Sequence, residues 1–340
     1  MSDTLTQPRT VTTRRVVVSL SLLCLLAAAL WWPEEALDLL RYLAWSLVEI
    51  APLVIPGILL AAWVSASGAG RVAAGVFQGH LVSTVVLASL IGALTPVCGV
   101  TVLPLMAGLL AAGVPLAPIM AFWLSSPVTD PAMLATTAAT LGFDFALAKT
   151  FIAFCFGLLG GFVTAGFAQR PWALAPLREN RLVGQLGCHS ACAPEGYVLA
   201  VWRDPGRRRV FRSEALATTR LILICLTPAF AAEYALNAFL EPDSLAPYLG
   251  EDSWWSVPVA VFVGAPAYLD GYAALPLTRG LLDHGMAPGA AMAFLVAGGV
   301  VSVWGAIAIA PVLKIKPFLL YLALAVAGSL LAGWGYGALA

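Results

Sequence analysis

The sequence predicts an all-α polytopic membrane protein, and its composition and its hydrophobic patterning both support this prediction. Of the 340 residues, 61% are hydrophobic and only 11% are charged, whereas a soluble domain has about 25% charged residues. Several apolar runs, such as 144–168 and 317–338, are long enough for a spanning helix, which needs roughly 20 residues. The formal net charge of zero argues neither for nor against nucleic-acid binding, but we do not expect such binding because no sizeable soluble domain is expected.

The charge of the connections between apolar segments predicts the orientation of the chain. Residues 1–15 are basic and residues 169–212 contain eight arginines, so the positive-inside rule places both on the cytoplasmic side. The run 16–32 is interpreted as a retained first helix, with a cleaved signal peptide as the alternative. The predicted parts are a cytoplasmic N-terminus (1–15), a first transmembrane helix with a periplasmic connection (16–37), a first membrane repeat (38–168), a cytoplasmic arginine-rich loop (169–212) and a second membrane repeat (213–340).

Some apolar segments are too short to cross a bilayer, and they occur in adjacent pairs: 82–95 with 99–112, and 255–267 with 272–283. Each pair is either one broken span or a re-entrant hairpin. The connection 67–81 carries Arg71 and no acidic residue, which places it on the cytoplasmic side as well. From this connection to the arginine-rich loop the chain must cross the membrane an even number of times, and a broken span would place that loop outside. The hairpin interpretation is therefore favoured for each pair.

The two halves of the membrane region resemble one another at a constant offset in residue number. Each residue of the first half corresponds to the residue 172 positions later, a shift that we call the repeat offset. It aligns Pro104 with Pro276 (276 − 104 = 172) and Gly113 with Gly285. The predicted topology makes the halves inverted, each with three spanning helices and one re-entrant broken hairpin. Inverted repeats with broken helices are typical of secondary transporters, whose substrates bind where the breaks converge.

The breaks in the two short pairs carry the first candidate site residues. The stretch Thr95–Pro104 contains two prolines and a glycine, together with Thr95, Cys98 and Thr101. The repeat offset pairs Cys98 with Asp270 in the second break. An ionisable residue at membrane depth usually faces a cavity, although Asp270 could instead cap a half-helix near the surface and Cys98 could be a small buried hydrophobe.

Another break, Ser125–Pro131, interrupts the apolar segment 116–140. Its prolines free backbone carbonyl groups, and Ser126 and Asp130 add side-chain oxygens, which suits a substrate or ion site. The alternative for Asp130 is a helix N-cap. Asp130, Asp270 and Glu233 are the candidate proton-coupling residues, with pairing to Asn237 or a position near the outer surface as the alternatives for Glu233.

The arginine-rich loop contains Cys188, His189 and Cys192. Two thiolates and an imidazole suit a soft or borderline metal, although a tetrahedral site would lack one ligand and the cluster could be incidental. No resident cofactor is otherwise expected. The sequence contains no Walker motif and no catalytic serine, histidine and aspartate set, so it does not predict an enzyme.

The order of these motifs resembles the ArsP/YraQ-type predicted permeases. The resemblance rests on Pro96-Val97-Cys98, on Pro104 with the following AGLLAAG run, and on the segment AFWLSSPVTDP, and it covers most of residues 40–340. It implies an efflux permease for trivalent organoarsenicals or related soft metals. In this chain Val100 replaces the second thiol of the family pattern, and carboxylates stand at Asp130 and Asp270.

The sequence therefore predicts a secondary permease of the bacterial inner membrane that exports a small metal, metalloid or organoarsenical species, with proton coupling by the carboxylates. The expected partners are the lipid bilayer and this small substrate, with a homo-oligomer left open. An uncoupled membrane channel and a membrane thiol or electron carrier are the alternatives. The carrier would use Cys98 with Cys155 or Cys225.

Overall fold

The computed structural model describes residues 33–69, 79–95, 102–111, 113–178, 196–239, 255–267, 274–300 and 309–340, with the isolated positions 72, 75 and 306. The chain divides into two compact units, Met1–Glu49 and Ile50–Ala340. Within the first unit, the described residues form the beginning of a helix. The contacts described below lie within the second unit.

Helices make up nearly all of the described residues up to position 178. They are α1 (Pro33–Ser67), α2 (Leu81–Leu94), α3 (Val102–Ala111), α4 (Leu116–Ser125), α5 (Pro131–Leu141), α6 (Phe143–Ala165) and the short α7 (Pro171–Leu174). The predicted break at Ser125–Pro131 is present, because α4 and α5 are separate helices.

Helices also make up most of the described residues from position 196 onward, so that α7 and the first residues of the next helix lie within the predicted loop 169–212. A 3₁₀ turn (Val201–Arg203) leads into α8 (Pro205–Phe239), and α9 (Ser256–Ala267), α10 (Ala274–Asp283), α11 (Pro288–Val300) and α12 (Ile315–Gly337) follow. Two pairs of helices, α3 with α10 and α6 with α12, begin and end at positions that the repeat offset makes equivalent.

The ends of α3 and α10 have the same local geometry. Gly113 and Gly285 have φ angles of +89° and +95°, a region that glycine enters without steric cost. Each N–H donates to the carbonyl three residues earlier, and the next N–H donates to the carbonyl five residues earlier. This pattern terminates a helix with a left-handed residue, which explains why glycine stands at both positions.

Small residues allow the helices of the first half to approach closely. In α6, a Cβ added to Gly161 would lie 2.4 Å from Val85 Cγ1 and 2.9 Å from Ala121 Cβ. Val85 and Ala121 belong to α2 and α4 and are fully buried. The three helices α2, α4 and α6 thus pack as a tight group.

The second half contains an equivalent contact. A Cβ added to Gly333 in α12 would lie 2.7 Å from both Val257 Cγ1 and Ala293 Cβ. The repeat offset relates these three residues, one by one, to the glycine, valine and alanine of the first group. Accordingly α9, α11 and α12 pack together.

Helices α6 and α12 also contact each other and run antiparallel. Phe145, near the start of α6, packs edge-on against Tyr336, near the end of α12, with ring centroids 5.1 Å apart. Further along α6, Phe156 fills the space next to Gly328. Later residues of α6 therefore contact earlier residues of α12, as antiparallel helices do.

Among the described residues, α6 and α12 are long and apolar enough to cross a membrane on their own. A third crossing results if the helical stretches Pro33–Pro52 and Val54–Ser67 of α1 count as one span. The apolar segment 116–140 does not form one continuous helix, because the turn between α4 and α5 divides it into helices of 10 and 11 residues.

Candidate functional site

The turn between α4 and α5 brings buried polar groups into the helical bundle. Ser125, Ser126 and Thr129 are all buried. The Ser125 hydroxyl donates to carbonyl oxygens of the preceding turn, at 3.0 and 3.1 Å. Irregular backbone is tolerated at membrane depth only where protein or a polar cavity surrounds it, and protein surrounds this turn.

Asp130 ends the turn and begins α5. Its Oδ1 accepts hydrogen bonds from the backbone N–H groups of Ala132 and Met133, at 2.8 and 2.9 Å. Its backbone is extended and proline follows at the first helical position, as is usual for an N-cap. The N-cap interpretation is confirmed. A role for Asp130 in substrate binding or proton coupling stays a prediction.

Lys149 is a buried cation in α6 that the sequence interpretation missed. Its side chain is 2% exposed, and Asp130 lies close enough for the two charges to interact. A lysine within an apolar helix carries the same signal that marked Asp270, because ionisable residues inside a membrane are costly. The sequence could therefore have identified Lys149, although not its partner.

The helix α11 covers the turn from the other half of the chain. A Cβ added to Gly299 would lie 2.7 Å from the carbonyl oxygen of Pro127. The backbone of α11 at Gly299 therefore packs directly against the backbone of the turn, with no side chain between them. One residue later, the Val300 carbonyl accepts a hydrogen bond of 2.6 Å from the Tyr321 hydroxyl. The Tyr321 ring lies against Trp123, with centroids 5.0 Å apart. No group in the described part of the chain accepts a hydrogen bond from the buried indole Nε1 of Trp123.

The end of α2 reaches the same turn. A Cβ added to Gly92 would meet Ser125 Oγ at 2.1 Å, and Thr95 follows three residues later as the C-cap of α2. The Thr95 hydroxyl donates back to the carbonyl of Ile91 in its own helix. The last turn of α2, which leads into the Thr95–Pro104 break, therefore packs against Ser125 at the end of α4.

Several predicted site residues lie outside the described part of the chain. They are Cys98, Thr101, Asp270, Cys188, His189 and Cys192. Glu233 belongs to α8, and its side chain also lies outside the described part. Among the described residues, no group of three or more histidine, cysteine, aspartate or glutamate side chains could hold a metal ion.

A second buried polar cluster, which the sequence interpretation also missed, lies near the start of α8. The Arg207 guanidinium is buried and donates to the carbonyl oxygens of Ala66 (3.1 Å), Ser67 (3.0 Å) and Gly196 (2.9 Å). It thereby satisfies carbonyl groups at the end of α1, which have no partner within that helix. Glu214 and Thr218 are buried further along α8.

These features define a multi-pass α-helical membrane protein. Its helical bundle encloses buried charged side chains and an irregular backbone segment. Comparison with protein families gives a specific assignment. The family described as a predicted permease, ArsP_1, matches residues 34–337. The chain belongs to this permease family, and it is a membrane transport protein by that membership.

A curated relative supports the same assignment. UPF0718 protein MJ0584 of Methanocaldococcus jannaschii is 24% identical over 296 residues, which cover 73% of this chain and 80% of the relative. No solved structure matches the chain.

Proposed function

We propose that this chain is a secondary permease built from two inverted repeats, 38–168 and 213–340, and that it exports a small metal, metalloid or organoarsenical species. The packing of α6 against α12 is the observation that supports this architecture best. These helices have the same length and equivalent bounds in the two halves, and they contact each other in antiparallel orientation.

Equivalent residues of the two halves contact one another between α6 and α12 and also between the α4–α5 turn and α11. Phe156 contacts Gly328, and the Pro127 carbonyl contacts Gly299, and the repeat offset relates the two members of each contact. Contacts between equivalent residues are expected close to a two-fold axis. Repeats that stack on one another would also bring equivalent residues together, but the equivalent helices of such repeats would run parallel. Antiparallel contact favours an axis in the membrane plane, as in inverted-repeat transporters.

The substrate path in this proposal passes the turn between α4 and α5. The turn carries Ser126 and Asp130, lies beside Lys149, and meets α11 at Gly299. Cys98, Thr101 and Asp270 would complete the site with Thr95, and Asp130 and Asp270, with Glu233, would exchange protons during transport. A cysteine thiolate suits soft metals and metalloids, and the carboxylates add acceptors for harder cations.

The arginine-rich loop has its own part in this proposal: it captures a soft metal at Cys188, His189 and Cys192, on the cytoplasmic side of the bacterial inner membrane. This placement follows from the eight arginines of residues 169–212. Capture at the cytoplasmic side would fit export rather than import.

Growth and transport assays test the proposal. A sensitive bacterial host that expresses the chain should tolerate at least one member of a panel of metals, metalloids and organoarsenicals better than a host without it. Everted vesicles should accumulate the same compound when a proton gradient is present. Accumulation without any dependence on the gradient would support an uncoupled channel, and no protection across the panel would contradict efflux of these compounds.

Asp270→Asn tests the predicted carboxylate directly. We expect it to abolish accumulation at a normal protein level, because a permanently neutral side chain can neither bind a cation nor exchange a proton. Asp283→Asn is the matched control, since Asp283 is exposed and pairs with Arg279 on the surface at 3.0 Å. Unchanged transport by Asp270→Asn would remove Asp270 from the mechanism.

A further inference from the structure

A short segment before α8, residues 196–203, is held against the last turn of α1. The Val198 N–H donates to the Ser67 carbonyl oxygen at 3.1 Å, and the Trp63 indole N–H donates to the Leu199 carbonyl oxygen at 3.1 Å. The second half of α1 contains no charged residue. The segment therefore lies at the point where an apolar helix ends.

This segment presents large apolar side chains outward. Leu199 and Trp202 are 65% and 67% exposed, and Tyr197 and Val198 are also exposed. Val201, beside Trp202, is buried, so one side of the segment is packed and the other is free. Exposed apolar side chains in such a row mark an interaction surface, and tryptophan and tyrosine are enriched where a bilayer meets water.

Four arginines next to these apolar residues also have exposed side chains: Arg203, Arg208, Arg209 and Arg212. In the part of the chain that the structure describes, none of the four forms an ion pair. The neighbouring carboxylates are turned to other groups, because Asp204 lies 3.7 Å from the buried Arg207 and Glu214 is buried. The exposed surface along residues 203–212 is therefore positively charged.

On α8 this basic face continues into an apolar one. Residues three or four apart share a face of a helix, so Arg212, Leu216 and Arg220 lie on one face, followed by Leu223 and Ile224. All five side chains are exposed. Exposed leucine and isoleucine suit a hydrocarbon environment, and the arginines before them suit the headgroup layer, where long basic side chains place their charge in polar surroundings.

This combination of groups fits an anionic phospholipid better than a soluble partner. Guanidinium groups bind phosphate with fixed, often bidentate geometry, and arginine clusters next to a membrane-embedded helix attract anionic lipids. A nucleic acid also offers phosphate, but it offers no hydrocarbon for Leu199 and Trp202. A phospholipid carries both groups on one molecule.

We propose that the exposed side chains of residues 197–212 form a binding surface for anionic phospholipids. Its guanidinium groups donate to the headgroup phosphate, and Leu199 and Trp202 enter the upper part of the acyl region. The hydrogen bonds of Arg207 to the end of α1 and to Gly196 hold the surface in place. This inference goes beyond the proposed permease activity, because it requires no particular substrate, coupling ion or direction of transport.

Fluorescence quenching of the full chain in phosphatidylcholine vesicles tests the surface. Brominated phospholipids quench a tryptophan that they contact, and the difference between the unchanged protein and Trp202→Phe isolates Trp202 among the 11 tryptophans. We expect brominated phosphatidylglycerol, which is anionic, to quench Trp202 at a lower lipid fraction than brominated phosphatidylcholine. The ratio of the two fractions at half-maximal quenching measures the preference.

A triple variant tests the arginines. Changing Arg208, Arg209 and Arg212 to glutamine should lower the preference by about fivefold for each guanidinium that contacts a headgroup. Lysine at the same three positions keeps the charge and should retain most of the preference, which guards against misfolding of the glutamine variant. Arg279→Gln is the matched control, because Arg279 is exposed on α10 and pairs with Asp283 at 3.0 Å, and it should leave the preference unchanged.

Several outcomes would overturn the proposal. If neither lipid quenches Trp202, the segment faces water and its partner is a soluble molecule. Equal half-maximal fractions would show that the surface does not select anionic lipids. A preference that survives in the glutamine variant, or that Arg279→Gln also removes, would show that these three arginines do not provide the selection. None of these measurements uses transport, so the lipid surface and the proposed export can fail separately.

Discussion

Lys149 is a buried cation whose charge interacts with that of Asp130, at the end of the turn between α4 and α5. Its ammonium group is almost fully buried, and the charge that acts on it is that of Asp130. Removing Asp130 would leave the buried ammonium group without this opposite charge, and an uncompensated buried charge is costly. The two residues should therefore depend on each other.

A double-mutant cycle measures this dependence. We expect Lys149→Met and Asp130→Asn each to lower the melting temperature. The double variant should lower it by less than the sum of the two single effects. The coupling should be about 0.5–3 kcal/mol, as for residues in one charged network. Lys316→Met is the control, because Lys316 is exposed and should change little. Additive losses would show that Lys149 and Asp130 act independently.

At this scale the sequence predicted residue types better than partners. The prolines at 127 and 131 indicated the turn, and the structure places Ser126 and Asp130 there. The partner of Asp130 could not be predicted, since Lys149 belongs to a different helix and no sequence spacing relates the two. Only the packing of α6 on α4 and α5 brings them together.

At the scale of elements, glycines decide how closely helices approach the turn. Gly299 lies where any side chain would meet the Pro127 carbonyl oxygen. Gly280, in contrast, has no atom within 4 Å of an added Cβ. Both glycines lie in helices, so they differ mainly in the space around them.

Alanine substitution should therefore give opposite results at the two positions. Gly299→Ala should destabilise the protein by roughly 1–3 kcal/mol, the usual cost of overpacking, and should impair transport because α11 must move away from the turn. Gly280→Ala should be neutral or stabilising by about 0.5–1 kcal/mol, because alanine favours helix. Thermal unfolding in detergent checks both, and equal effects would contradict the close contact between α11 and the turn.

The elements themselves were largely predictable, and their contacts were not. Helices α3 and α10 lie within the short segments 99–112 and 272–283, and each ends two residues before one of the glycines that the repeat offset aligns. In contrast, Phe156 fills the space beside Gly328. No local signal marks such a contact, because it depends on how two distant helices cross.

At the scale of the whole molecule, basic residues gather at one end of the α6 and α12 pair. Arg178 donates from its backbone N–H to Val312 O at 2.9 Å, and Lys314 donates to Pro176 O at 2.8 Å. The residues after α6 thus lie beside the start of α12, which also carries Lys316. Positive charge favours the cytoplasmic side, and α12, with 23 residues, extends about 34 Å at 1.5 Å per residue.

Cysteine labelling tests this orientation. In a background without the six native cysteines, Lys316→Cys should react with a membrane-impermeant maleimide in everted vesicles but not in intact cells. Leu339→Cys, just beyond the other end of α12 and 88% exposed, should react in intact cells. The two positions control for each other, because both lie beside one helix. A reversed pattern would invert the whole predicted topology, and labelling of both from the same side would show that α12 does not cross the membrane.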